Sequence, residues 1–396
     1  MGKKIYLIAI VSILVLSLFM AAQQLIADSY YRMAHHDGND LNRAIGYLEK
    51  CVAIDGGSPL FHFSLGTVYL RKGLAEAAKR GKKNRWVRKS IDELHKAIEL
   101  KPSASEYHFH LGISYGALGY PPALYWGRIE DSFERTALLN PTDVRHLYAI
   151  GIYYLREYQR LKHTGLTIEG MGPTHNKIYS AKSKENYQLF FRRSVNVDEE
   201  YLTKILEKSF RVTQEYTELR SLIRDTARSH VILARFLSGN GMWKEARKEY
   251  MMAINREPFN PIYYAEFANA FSIRGDFENA IKWWQKQKMV NPRDKEIYLS
   301  LSYGFMRLNR VDEALRELRE LIELNPENIN YHVKLIRTLL VARRHDEAVD
   351  EYYKVVGKNK SFSRSSYDRI RQYQMKGDYP KAVRILNEAL ASAVNR

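Results

Sequence analysis

Histidines, one cysteine and a few close carboxylates are the side chains here whose chemistry could go beyond packing. Their spacing points away from catalysis. His108 and His110 are two apart, so on a helix they face different sides and cannot chelate together. His35 and His36 are adjacent, with no ligand pattern around them. His108, His230 and His332 fall on one recurring structural position, which predicts packing rather than metal binding. The single cysteine, Cys51, excludes an intrachain disulfide, and no CxxC, CxxCH or zinc spacing exists. Its place in a helical pattern predicts a small buried residue. Glu199–Glu200 and Glu317–Glu320 are predicted on helix surfaces, solvated or paired with Lys and Arg of the same helix. No G-x-S-x-G, Walker loop, G-x-G-x-x-G or HExxH occurs. The expectation is a chain without catalytic residues, metal or cofactor.

Charge points instead to binding. The formal net charge is +17, which favours acidic proteins, anionic polymers or anionic lipid surfaces. The densest basic run is Lys79, Arg80, Lys82, Lys83, Arg85, Arg88 and Lys89, with Trp86 among them. Such a run can meet lipid headgroups, a glycan or another polyanion, or an acidic protein. It can equally be a solvated helix extension whose Trp86 packs back on the chain.

The elements that position these residues are set by a period. Ala246, Ala280, Ala314, Ala348 and Ala382 follow at intervals of 34 residues. Four positions later come Tyr250, Trp284, Leu318, Tyr352 and Leu386; five positions earlier come Gly241, Gly275, Asn309, Arg343 and Gly377. Pro258, Pro292 and Pro326 close the first three units. The small residue suits a close helix crossing, the bulky one fills the gap between units, and Gly or Asn suits a left-handed helix cap. Proline stops one helix and starts the next.

This pattern resembles the tetratricopeptide repeat (TPR) family of helix–turn–helix solenoids. The resemblance implies an all-α fold of about eight to nine repeats, wound as a right-handed superhelix. It implies that the first helix of each repeat lines a concave groove. In the last five repeats the ninth positions are Arg235, Asn269, Tyr303, Arg337 and Arg371, with Arg228, Arg307 and Tyr367 nearby. Arginines among Tyr and Met suit an extended or acidic peptide segment.

Upstream, Ile5–Ala22 carries no charge and, extended through Ile26, is long enough to span a bilayer. With Lys3 and Lys4 before it, the positive-inside rule places residues 1–4 in the cytoplasm, 5–26 across the inner membrane and the repeats on the periplasmic side. A cleaved signal peptide is the competing reading, disfavoured by Met20 at the −3 position of a cut after Ala22. Residues 27–160 read as irregular repeats with insertions at 74–89 and 120–127. First helices there are marked by Leu65, Gly66, Tyr69 and Gly73, then Leu111, Gly112, Tyr115 and Gly119, then Ile150, Gly151 and Tyr154. Residues 161–196 show no helical period and read as a loop insertion. Residues 197–226 are predicted as one long helix completing the interrupted repeat, with Leu202, Ile205, Leu206, Phe210 and Leu219 as its apolar stripe. Residues 227–396 are the five regular repeats.

The function expected from this is a membrane-anchored, non-enzymatic scaffold that binds a protein partner in an envelope assembly, secretion or polysaccharide-export machine. The alternative is an accessory protein whose basic concave groove binds an anionic polysaccharide or other polyanion. Nucleic acid is not expected as a ligand on the periplasmic side. The Ala- and Leu-rich last helix, Tyr379 to Val394, is expected to turn an apolar outer side to a partner or a second copy.

Overall fold

In a computed structural model, the structure describes residues 2–38, 40–76, 80–118, 125–163, 173–358 and 364–394. Every regular element among them is a helix. They gather into two units, Met1–Ile223 and Arg224–Arg396.

In the first unit, α1 (Gly2–His36) pairs with α2 (Leu41–Ile54), and α3 (Pro59–Ala75) with α4 (Arg80–Leu100). Next, α5 (Ser105–Ala117) pairs with α6 (Trp126–Leu139), and α7 (Val144–His163) with α8 (Pro173–Val197). Two short helices follow, α9 (Tyr201–Phe210) and α10 (Tyr216–Ser221).

The start of the chain is one uninterrupted helix. Ile13, Leu16, Leu18 and Phe19 of α1 are more than half exposed, whereas Ala27 and Ala34 of the same helix are buried. Cys51 in α2 donates its S–H to the carbonyl of Ala27 at 3.3 Å, and burial pushes the thiol up to about 11. The buried, protonated thiol is thus a packing group. An apolar helix long enough to cross a membrane therefore continues directly into the first helix pair.

Two sequence expectations are corrected here. Residues 173–196 of the expected 161–196 loop are helical, and they belong to α8, the second helix that pairs with α7. Pro173 opens α8 at a position where its missing N–H costs nothing. Tyr187, Phe190, Phe191 and Val195 are buried, with the small Ser183 and Ser194 between them. Residues 164–172 lie outside the described residues. The expected long helix at 197–226 is instead α9 and α10, separated by a turn in which the N–H groups of Val212 and Thr213 bond the Ser209 carbonyl. Leu202, Ile205, Leu206 and Leu219 are buried as the stripe required, but two helices share them.

The second unit holds five helix pairs: α11 (Ala227–Gly239) with α12 (Trp243–Arg256), α13 (Pro261–Ile273) with α14 (Phe277–Val290), and α15 (Lys295–Arg307) with α16 (Val311–Leu324). Then come α17 (Ile329–Val341) with α18 (His345–Lys358), and α19 (Arg364–Met375) with α20 (Tyr379–Val394). The five spaced alanines and their five bulky followers are all buried.

Each pair turns through one left-handed residue: Gly241, Gly275, Asn309, Arg343 and Gly377 all have φ between 60° and 80°. The next residue's N–H reaches five back, as from Met242 to the Leu237 carbonyl at 2.9 Å and from Arg344 to that of Leu339 at 2.8 Å. This closes the helix in the Schellman manner. At φ 62°, Arg343 is strained in a way a glycine would not be. Arg343→Gly is expected to raise stability by up to about 1 kcal/mol, read by urea denaturation, since relief of strain exceeds glycine's entropy cost.

The apolar residues of α20 point inward. Ile385, Leu386, Ala389 and Leu390 are buried, and the outer face carries exposed Lys381, Arg384 and Glu388. The apolar outer side expected for this helix is therefore absent among its described side chains.

Candidate functional site: two faces of the repeat unit

The recurring first-helix histidines are held by the second helix of their own pair. His332 Nδ1 lies 2.5 Å from Glu351, and its Nε2 is 3.1 Å from the Pro326 carbonyl. His62 repeats this with Glu93 at 2.6 Å and the Gly56 carbonyl at 3.0 Å. His230 meets Glu249 at 2.5 Å and Asp225 at 3.0 Å. Burial by itself would raise the Glu351 carboxyl, but hydrogen bonds from His332 and Lys354 hold it below its ordinary value. In the intervening repeats the same position is Tyr264 or Tyr298, whose hydroxyls donate to the carbonyls of Pro258 and Pro292. The His–Glu pairs bind the two helices of a repeat together, whereas the tyrosines tie the first helix to the turn that precedes it. His108 also bonds the carbonyl six residues before it, that of Pro102, at 3.0 Å.

The carboxylates behave similarly. Lys288 of α14 bridges Glu317 and Glu320 of α16 at 2.8 and 2.6 Å. The pairing crosses from one repeat to the next instead of running within a helix, because position 288 faces the following second helix. Burial would lower the Lys288 ammonium and raise the Glu317 carboxyl; the two hydrogen bonds raise Lys288 above its ordinary value.

The basic run at 79–89 divides. Lys79 lies outside the described residues, and Arg80, Lys82 and Lys83 belong to the first turn of α4. Trp86 stacks on Tyr69 at 5.6 Å and donates its Nε1–H to Glu76 at 3.1 Å. Lys89 lies over both rings. Arg85 and Arg88 remain exposed. Trp86 and Lys89 thus fold back on the chain as part of a helix extension. The insertion expected at 120–127 is described only from Tyr125, and buried Trp126 opens α6.

The residues expected to line a groove occupy equivalent places. Arg235, Asn269, Tyr303, Arg337 and Arg371 stand at one position of α11, α13, α15, α17 and α19, and all five are exposed. Arg228 and Arg307 are exposed as well, and Tyr367 is half-buried. Several have internal partners. Arg235 grips Glu266 of the next first helix through two bonds of 2.8 Å. Asn269 accepts from the Trp284 indole at 3.2 Å, leaving its amide hydrogens for a ligand. Arg371 bonds Gln374 and lies 3.6 Å from Asp350. Arg307 lies over Phe277, and Tyr367 packs on Tyr353. Arg337 has no ion pair among the described residues.

Arg235, Tyr250, Glu266, Asn269 and Arg274 surround a hollow of about 620 Å³ between α11 and α13. Three apolar residues on this side were not recognised together in the sequence. Ile273, Val341 and Met375 are 87%, 71% and 81% exposed and share one repeat position. The signal was available, since successive members are 68 and 34 apart, with Arg307 at the equivalent position between the first two.

A second hollow of about 970 Å³ opens on the other helices. It lies between α12 and α14, floored by Phe267 and Phe271 of α13. Nothing in the sequence reading singled it out, because its residues come from two second helices whose polar faces look individually like solvated surface.

Stacked helix pairs with exposed, register-matched side chains on each repeat define a helical-repeat protein. Residues 299–363 match the family described as the tetratricopeptide repeat. That match, the 34-residue period and the paired helices together mark the repeats of the second unit as tetratricopeptide-type helix pairs. Among curated proteins it is similar to the TPR repeat-containing protein YpiA of Bacillus subtilis, 30% identical over 88 residues. That stretch is 22% of this chain and 20% of YpiA, so the match spans about a fifth of the relative's length. Similar solved structures include MamA (20% identity, 41% of this chain, 95% of that chain, TM-score 0.31) and PilF of Pseudomonas aeruginosa (14%, 59%, 89%, 0.31). Yeast Tom70 aligns over 96% of both chains at 12% identity, with TM-score 0.30. At these scores the likenesses carry no argument about function.

Proposed function

We propose that this chain is a membrane-anchored scaffold that holds a protein partner against the first-helix face of its second unit. The observation that carries the reading is the exposed column Arg235, Asn269, Tyr303, Arg337 and Arg371, repeated in register on five first helices. A surface built only for solvation has no reason to line guanidinium groups, Tyr and an exposed apolar column (Ile273, Val341, Met375) on one side. That composition suits an extended segment with carboxylates and apolar side chains. The anchor is α1, whose apolar length meets the bilayer requirement. With Lys3 and Lys4 in the cytoplasm, the repeats stand on the periplasmic side. An assembly, secretion or polysaccharide-export machine of the envelope is the setting this arrangement suits.

The test is a pull-down of the whole anchored chain from native membranes, beside the double variant Arg337→Glu, Arg371→Glu. A discrete protein partner is expected, with affinity falling about tenfold or more in the variant while helicity by circular dichroism is unchanged. Undiminished capture by the variant would show that this face is not the site. Binding that follows anionic glycans and collapses with salt would select the polysaccharide reading instead.

A further inference from the structure

We infer that the hollow between α12 and α14 is a second docking site, for a peptide segment carrying Asp or Glu beside bulky apolar residues. The proposal rests on the scaffold reading but not on the first-helix face.

Cations ring the hollow. Lys244, Arg247 and Lys248 come from α12, and Lys282 and Lys286 from α14; none of the lining residues is acidic. Lys244, Arg247, Lys282 and Lys286 form no ion pair among the described residues. Elsewhere in this unit basic side chains commonly meet carboxylates. Two residues beyond Lys286, Lys288 bridges two glutamates, and Arg310 and Arg344 each pair with acids. Of the three glutamates on α12 and α14, Glu249 pairs with buried His230, Glu278 lies 3.8 Å from Arg310, and Glu245, in the first turn of α12, does not line the hollow. The fold thus concentrates positive charge at one place and supplies no counter-charge there.

Apolar material lies between the cations. Met251, Met252 and Met289 are 38%, 37% and 83% exposed, above a floor of Phe267 and Phe271. Trp283 forms a wall, with the Lys286 ammonium 4.0 Å from its ring centroid. Three unbranched thioethers give an adaptable apolar surface. About 970 Å³ is at the upper end of the roughly 300–1,000 Å³ of ordinary ligand sites. A polyanionic glycan or lipid headgroup would use the cations and leave the methionines and aromatic floor unserved. A peptide with acidic and apolar side chains uses both.

The experiment is selection of a random 16-residue peptide library, displayed on phage, against the full chain in detergent micelles. The strongest synthetic peptide is then titrated by fluorescence anisotropy. Enrichment of peptides with Asp or Glu next to Leu, Phe or Trp is expected. Their binding should weaken about tenfold or more in Lys282→Glu, Lys286→Glu, and in Met252→Ser to a lesser degree. It should be indifferent to the Arg337→Glu, Arg371→Glu pair. Peptides lost only in that second pair would overturn the cleft and leave the first-helix reading standing. No enrichment, or enrichment without acidic residues, would overturn the cleft outright. So would phosphatidylglycerol vesicles or heparin binding through Lys282 and Lys286 in place of any peptide.

Discussion

Glu351→Ala is expected to destabilise the second unit by about 3 kcal/mol at pH 5, and by clearly less at pH 8. His332 and Glu351 are each under a tenth exposed. Both ring nitrogens of His332 face acceptors, the Glu351 carboxylate at 2.5 Å and the Pro326 carbonyl at 3.1 Å. With the Glu351 carboxyl held below its ordinary value, both nitrogens are expected to donate, which makes the pair an imidazolium–carboxylate. Removing the carboxylate leaves a buried positive charge with one partner gone. Above the ordinary histidine value of about 6.5 the variant can relieve this by releasing a proton, keeping the Nε2–H on Pro326 and leaving Nδ1 bare. The penalty therefore shrinks as pH rises. In the wild type the sign for Glu351 is opposite. Its depressed carboxyl contributes stability above the ordinary carboxyl range, and that contribution fades as pH falls through the lower folded value. Urea denaturation at the two pH values, read by circular dichroism, measures the difference. Equal losses at pH 5 and pH 8 would mean that His332 is not charged in the fold.

These buried pairs show what a sequence period can and cannot say. The recurrence of histidine at one offset identified a packing position, but its partner is a glutamate 19 residues away on a helix that otherwise reads as polar surface. Hydrophobic patterning assigns such a glutamate to water; only the geometry shows it buried. The regular pairs were legible for the opposite reason. Ala246 and its four equivalents, the bulky residues after them and the left-handed turn positions each answer a local steric demand. Even Arg343 could be placed, because the turn requires a left-handed residue whatever occupies it. The two proposed docking faces were legible unequally. Arg235 to Arg371 lie along one recurring position. The cleft around Trp283 combines residues of α12, α13 and α14, which no single periodicity connects.

The strongest departure from the sequence reading was α8, and it yields the second large effect. Gly151→Ala is expected to cost about 2–3 kcal/mol in the first unit. A methyl group there would stand 2.5 Å from Cε1 of Phe191 and closer still to Cδ1, and Phe191 is buried with no room to retreat. The geometry repeats at Gly112 against Phe133 of α6, so Phe191 holds in α8 the place that Phe133 holds in the preceding pair. The signal was muted in the sequence. Gly165, Gly170, Gly172 and Pro173 announced a loop, and the buried side of α8 mixes Ser183 and Ser194 with its aromatics, so no clean apolar stripe appears. If α8 completes the interrupted repeat, the damage belongs to the contact with Phe191. Phe191→Leu in the Gly151→Ala background should then recover part of the loss, giving a coupling of about 1 kcal/mol. Gly127→Ala, with nothing within 4 Å of its added carbon, serves as a control without a clash. A mild effect of Gly151→Ala, equal to that control, would return residues 173–197 to the role of an undocked insertion. A large loss with no coupling to Phe191 would show that α7 packs against some other segment.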